Sequence, residues 1–464
     1  MVDRRLGSAD TVTSLAPDRM KSRERGRTLR GFAQLAAVAA AAATEPAWLA
    51  ELRRRAVARF GEVGLPGSKD EEWRFTSLQP LAASEFRARG PSVPASPEDL
   101  EPFLLGAPEW PLLVVVDGEM DHRLSRVGTL PPGITFGSLA DAIAVGHPLV
   151  ERHLAHHAPI DATAFTAVNA ALVRDGVLVH VGAGVALEEP LHVLYLTTEG
   201  AAESIVAPRI LVVVDRGGAA TVIESFVTLV ARRAPRPYLT DACAEIVLGE
   251  NARLEHIRLQ RESTAAFHVG FTSVEQARDS HYRSFTLALG ARLSRHDLRA
   301  RLDGSNVETL LYGLYLARGE QLVDNHTAIL HDQPDCRSWE VYKGVLAERA
   351  HGVFNGKVIV QPDAQRTDAK QTNRNLLLGD GAKVDTKPQL EIFADDVKCT
   401  HGATVGKLDD LQRFYLRTRG IAGRAAEVLL ITAFVAEVLA EIVQPRAREA
   451  LEALAYAEMD ALIA

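Results

Sequence analysis

At 464 residues the chain exceeds one ordinary compact domain, which leaves two or three domains, or one elongated repeat body with appendages. A formal net charge of -8 gives no general basic footprint for nucleic acid, and no run reaches the roughly 18 apolar residues that a membrane span needs. Three widely spaced cysteines, Cys243, Cys336 and Cys399, make no disulfide framework and suit a reducing cytosol, so a cytoplasmic protein is expected.

Residues 1–30 mix both charges with Ser, Asp and Gly without a sustained period and read as a flexible tail. The basic run at 25–30 and the alanine-rich run at 32–43 lie too deep for an export signal, and alanine favours a helix of a soluble domain. Residues 36–60 read as helix, broken at Glu45-Pro46, with Trp48, Leu49, Leu52 and Val57 at helical spacing. A polar-aromatic segment follows, Asp70-Glu71-Glu72-Trp73-Arg74-Phe75-Thr76, and the proline-rich stretch at 91–102 is a connector. Residues 31–105 thus form an N-terminal helical domain with its connector.

From about Leu112 the chain turns to short runs of Val, Leu and Ile, each followed by a glycine turn and a second apolar run, as at 177–185, 246–254, 287–293 and 376–384. Short strands without regular helices between them argue against a doubly wound sheet and for a β-solenoid over 106–406, each rung burying its apolar face on the next. A β-sandwich with long insertions is the other architecture that fits. After Lys407 the period returns to helical. Helices are expected at 411–419, 424–442, with Val428, Ile431, Phe434, Val435, Val438, Leu439 and Ile442 on one face, and 447–463, making 407–464 a C-terminal helical domain.

The usual catalytic signatures are missing: the chain has no CxxC, HExxH, GxxxxGK[ST] or GxSxG. His153, His156 and His157 have helical spacing but no acidic or thiol neighbour, and the polar run at 365–375, with Asn373 and Asn375 in the same parity, reads as stacked amides between rungs. Cys399 and His401 are the one thiol and imidazole two residues apart, which in a strand share a face. That face also carries Val397, Ala403 and Val405, so the pair reads either as core or as two ligands of a site completed by another chain.

Four runs then add up to a family: 352–358 (Gly-Val-Phe-Asn-Gly-Lys-Val), 364–369 (Ala-Gln-Arg-Thr-Asp-Ala), 373–378 (Asn-Arg-Asn-Leu-Leu-Leu) and 387–392 (Lys-Pro-Gln-Leu-Glu-Ile) resemble the core of the SufB/SufD scaffolds of iron-sulfur cluster assembly. The segments at 399–406 and 414–421 are similar to the SufD branch, as are Leu65-Pro66 and 70–76. The resemblance implies a right-handed parallel β-helix between helical ends. It implies a non-catalytic scaffold subunit that pairs with SufB through the β-helix and binds the SufC ATPase, to which ATP hydrolysis belongs, through its C-terminal helices. Residues Phe414, Tyr415, Arg417, Ile431, Phe434 and Val438 mark that region. Carried over by motif, Cys399 and His401 match the Cys-x-His positions, with His401 facing a SufB cysteine where a transient iron-sulfur cluster forms; no cluster is expected to stay on the isolated chain, for which a homodimer is left open. The competing reading is a carbohydrate-acting or carbohydrate-binding β-helix protein, for which a cleavable signal and carboxylates grouped on one solenoid face would be expected, and neither is evident in the sequence.

Overall fold

The apolar runs beyond Leu112 become strands that alternate between two ten-stranded sheets, parallel through nearly their whole extent, in a computed structural model that describes residues 45–88, 90, 93–229 and 236–463. The tail expected at 1–30 and the alanine-rich run at 32–43 lie outside these residues. The chain is a parallel β-solenoid, not a sandwich: each strand pairs with the one a full coil later. His256, Ser284, Leu311, Glu340, Gln371 and His401, for instance, form one in-register column. Mid-solenoid strands such as Glu308–Ala317 are buried on both faces, one toward the interior and one beneath helices, which is why they read as unbroken apolar runs.

The corners explain the glycines differently from the sequence expectation. Along one corner the left-handed position is held first by Gly184 and Gly217 (φ 71° and 69°) and then by Asn251, Asp279, Asn306 and Asp335 (φ 56°, 61°, 58° and 64°), residue types that tolerate it best after glycine. Their backbone amides hydrogen-bond from corner to corner: Asn251 N to Arg278 O (2.9 Å), Asp279 N to Ser305 O (3.0 Å), Asn306 N to Pro334 O (3.2 Å). Glycine stands where stacked corners touch; a Cβ on Gly304 would lie 2.1 Å from Arg278 N.

The two ends of the solenoid differ. At the N-terminal end antiparallel strands close both sheets, Glu119–Met120 on Leu112–Val116 and Ile134–Ser138 on Gly176–Val181. Helices not foreseen in the sequence occupy 139–172: Leu139–Ala144, Pro148–His153 and Ala164–Leu172, the last begun by a capping box between Thr163 and Thr166. It packs with helix α1 (Ala47–Val63) on the outer surface of the second sheet. At the C-terminal end the last strands, Lys383–Ile392 and Val397–Gly406, each have one strand partner among the described residues, so that both sheets there finish in an uncovered edge. Pro388 fits such an edge, where a missing N–H breaks no ladder.

Helices α2 (Asp410–Thr418), α3 (Gly423–Leu439) and α4 (Pro445–Ile463) follow. Pro445 opens the last helix rather than merely ending the one before it. From α3, Ile431, Val435, Val438 and Leu439 pack with Leu259, Leu287, Leu314 and Leu316 of the first sheet's outer face. Lys343 anchors the contact: its ammonium donates to Phe434 O (2.8 Å) and Glu437 Oε2 (2.6 Å). No helix among the described residues is long and apolar enough to cross a membrane.

Candidate functional site at the open end of the solenoid

Strand Val397–Gly406 brings the two sequence-derived residues to the uncovered end. Its odd positions continue the interior columns: Cys399 sits on Ala369, His401 on Gln371, Ala403 on Asn373 and Val405 on Asn375, and all four partners are buried. These side chains therefore have the parity of core residues, and among the described residues no further rung covers them. Cys399 is half-buried against the interior, and burial, aided by the nearby Asp368 carboxylate and opposed by the Ala369 backbone, pushes its thiol up, so the isolated chain presents a thiol rather than a thiolate at neutral pH. His401 is exposed.

Beneath this pair the interior is polar. Gln371 Nε2 donates to Glu340 Oε2 (2.7 Å), Asn375 Nδ2 to Asn373 Oδ1 (2.6 Å), Asn373 Nδ2 to Tyr342 O (3.2 Å) and Tyr315 Oη to Asn375 Oδ1. The amide ladder between rungs expected at Asn373 and Asn375 is not formed: their amides bond to each other along the strand, and the bonds to earlier rungs go to the Tyr342 carbonyl and the Tyr315 hydroxyl. Burial lifts the Glu340 carboxyl to about 7, against hydrogen bonds from Thr327 and Gln371 that lower it. Glu340 was not singled out in the sequence; its signal was an acidic residue in an interior parity, readable only once the register is known.

A second polar set braces the end from outside. The segment at 71–76 lies on the outer face of the second sheet, where Arg295 stacks on Trp73 (3.8 Å to the ring centre), pairs with Asp297 (2.8 and 2.9 Å) and Asp324 (2.9 Å), and donates to Glu72 O (2.6 Å). Thr76 donates to Asp324 (2.5 Å), His326 Nε2 lies 3.0 Å from the same carboxylate, and Glu71 pairs with Lys387 of the last rung.

The C-terminal set divides. Phe414 and Tyr415 of α2 are 63% and 56% exposed and Arg417 is exposed beside them, whereas Ile431 and Val438 are each 1% exposed and hold α3 on the solenoid instead of facing outward; Phe434 is half-buried under Lys343. His153 ends its helix, so His156 and His157 follow it in a turn; His153 and His157 hydrogen-bond to each other (3.0 Å). The described residues contain no group of three or more His, Cys, Asp or Glu side chains arranged to hold a metal ion. Cys243 and Cys336 are buried, and burial pushes the Cys243 thiol up to about 12.

Two family models cover the chain: the SufBD protein N-terminal region matches residues 32–193, and the SUF system FeS cluster assembly SufBD core domain matches residues 195–434. An iron-sulfur cluster assembly SufBD family protein of Synechocystis sp. is 36% identical over 86% of this chain and 88% of its own length. The iron-sulfur cluster assembly protein SufD of Escherichia coli is 34% identical over 81% and 84%, and that of Bacillus subtilis 26% identical over 86% and 91%.

Proposed function

This chain belongs to the SufBD family of SUF iron-sulfur cluster assembly proteins, and from that premise we propose that it is the SufD-type scaffold subunit, non-catalytic itself, pairing with SufB and binding the SufC ATPase. The observation that carries the reading is the uncovered C-terminal end of the solenoid with Cys399 and His401 on it. Unpaired strand edges invite pairing with another sheet, and a second β-helix meeting these edges would set its own ligands opposite His401. An imidazole and a thiolate both ligate iron, and together they make half of the usual four-ligand set. The nascent cluster is then cargo shared across the subunit contact, not a resident cofactor of this chain.

The exposed Phe414, Tyr415 and Arg417 on α2 support a docking surface for the ATPase, with buried Ile431 and Val438 holding the helical domain in place behind it. Co-expression of the tagged chain with SufB and SufC from the same genome tests the assignment. One stoichiometric complex is expected; elution of the chain alone, with SufB and SufC found together elsewhere, refutes it.

A further inference from the structure

Two interior residues under His401 have no part in the reading so far. Glu340, Gln371 and His401 stand in register on successive coils, and neighbouring strands lie about 4.8 Å apart, within reach of an imidazole. Glu340 and Gln371 are 1% and 2% exposed. The bond from Gln371 Nε2 to Glu340 orients the amide while the carboxyl is ionised, because a carboxylate only accepts and only the amide nitrogen can donate. The amide's carbonyl oxygen, Oε1, is buried and has no hydrogen-bond partner among the described residues. The opposite sheet is hollowed to admit this amide: a Cβ on Gly356 would stand 2.1 Å from Gln371 Nε2.

A buried acceptor without a donor costs about 1–3 kcal/mol, and apolar residues would fill the same rung without that cost. The column places one strong side-chain donor next to Gln371 on the uncovered side, the ring of His401. A histidine that ligates metal commonly gives its second ring N–H to a carbonyl or carboxylate, which fixes the tautomer and the direction of the ligating nitrogen.

We propose that Glu340 and Gln371 are positioning residues for His401: the ring, which lies exposed and unbonded to Gln371 in this structure, turns onto Gln371 Oε1, held in place by the amide's bond to Glu340, and gives it the ring N–H, so that the other ring nitrogen presents its lone pair to the open end. This rests on the reading of His401 as a residue that faces the cluster, but its test needs no cluster. In the full-length chain labelled with ¹⁵N-histidine, a ring N–H protected from solvent exchange is expected, assigned to His401 by its loss in His401→Ala. It should vanish in Gln371→Met while the other histidine signals stay. A wild-type chain with no protected His401 ring N–H, or a signal that persists in Gln371→Met, overturns the proposal. The wild-type spectrum decides the matter even if Gln371→Met fails to fold. A protected N–H that Gln371→Met removes, with undiminished cluster formation on the complex, upholds the positioning and counts against the cluster role of His401.

Discussion

Replacing Arg295 by methionine keeps most of the stem over Trp73 but strips the cation from two buried carboxylates. Arg295 exposes 2% of its side chain, and Asp297 and Asp324 expose 12% and 0% of theirs. Removing one partner of a buried pair costs about 3–5 kcal/mol, and the bond to Glu72 O is lost as well. His326 remains beside Asp324, so the expected loss at pH 7 is ~3–5 kcal/mol rather than the larger sum of the separate losses. Against the penalty of its own burial, Asp324 raises His326 from 6.5 to about 9. A raised histidine pKa stabilises the fold fully below about pH 6.5 and loses that contribution as pH climbs through 9. In the variant Asp324 depends on His326 alone, so the deficit should widen between pH 7 and pH 10. Urea unfolding followed by tryptophan fluorescence and far-ultraviolet circular dichroism measures it. A deficit below ~1 kcal/mol at pH 7, or one that does not grow by pH 10, would refute the assignment of this cluster as the latch for residues 71–76.

Glu340→Gln should stabilise the chain at alkaline pH. A carboxyl raised from 4.5 to about 7 keeps a proton that the unfolded chain has released, so wild-type stability falls across that window, and the amide should gain up to ~3 kcal/mol at pH 8 but nothing near pH 4.5. Melting curves at the two pH values check this, and an equal difference at both would contradict it. Phe414→Ala with Tyr415→Ala should leave stability within ~0.5 kcal/mol per site, since both are exposed, yet weaken SufC capture about thirtyfold, as loss of an aromatic anchor worth ~2 kcal/mol does. Titration calorimetry reads the affinity, and an unchanged value removes α2 from the interface.

Much of the fold was legible because its physics is local. Short β-branched runs separated by tight corners have few architectures open to them, and the helical period after Lys407 is plain. The helices at 139–172 were not legible, for they are short and Ala164–Leu172 is buried almost all round, so it shows no polar stripe. Corner chemistry misled in part: glycine takes the left-handed turn at Gly184, Gly217 and Gly319 but marks close approach between coils at Gly304, while Asn and Asp carry the left-handed turn at 251, 279, 306 and 335, and only three-dimensional stacking separates the two uses. Parity alone showed Cys399 and His401 on one face, but whether that face was core or ligand turned on the strand being last in its sheet. What the polar-aromatic segment at 70–76 packs against was not legible, because its partners, Asp324, His326 and Lys387, lie far along the chain.

The central claim is that His401 acts on the cluster at the contact with SufB and not on the fold. Iron and sulfide bound to the purified complex, reconstituted with His401→Ala in place of the wild-type chain, measure it directly, with the melting temperature of the isolated variant beside them. The account predicts a sharply reduced cluster yield with complex assembly nearly unchanged and a melting temperature lowered by no more than the loss of one hydrogen bond to Gln371, about 1 kcal/mol, since His401 is otherwise exposed. A normal cluster yield with a lowered melting temperature would contradict it.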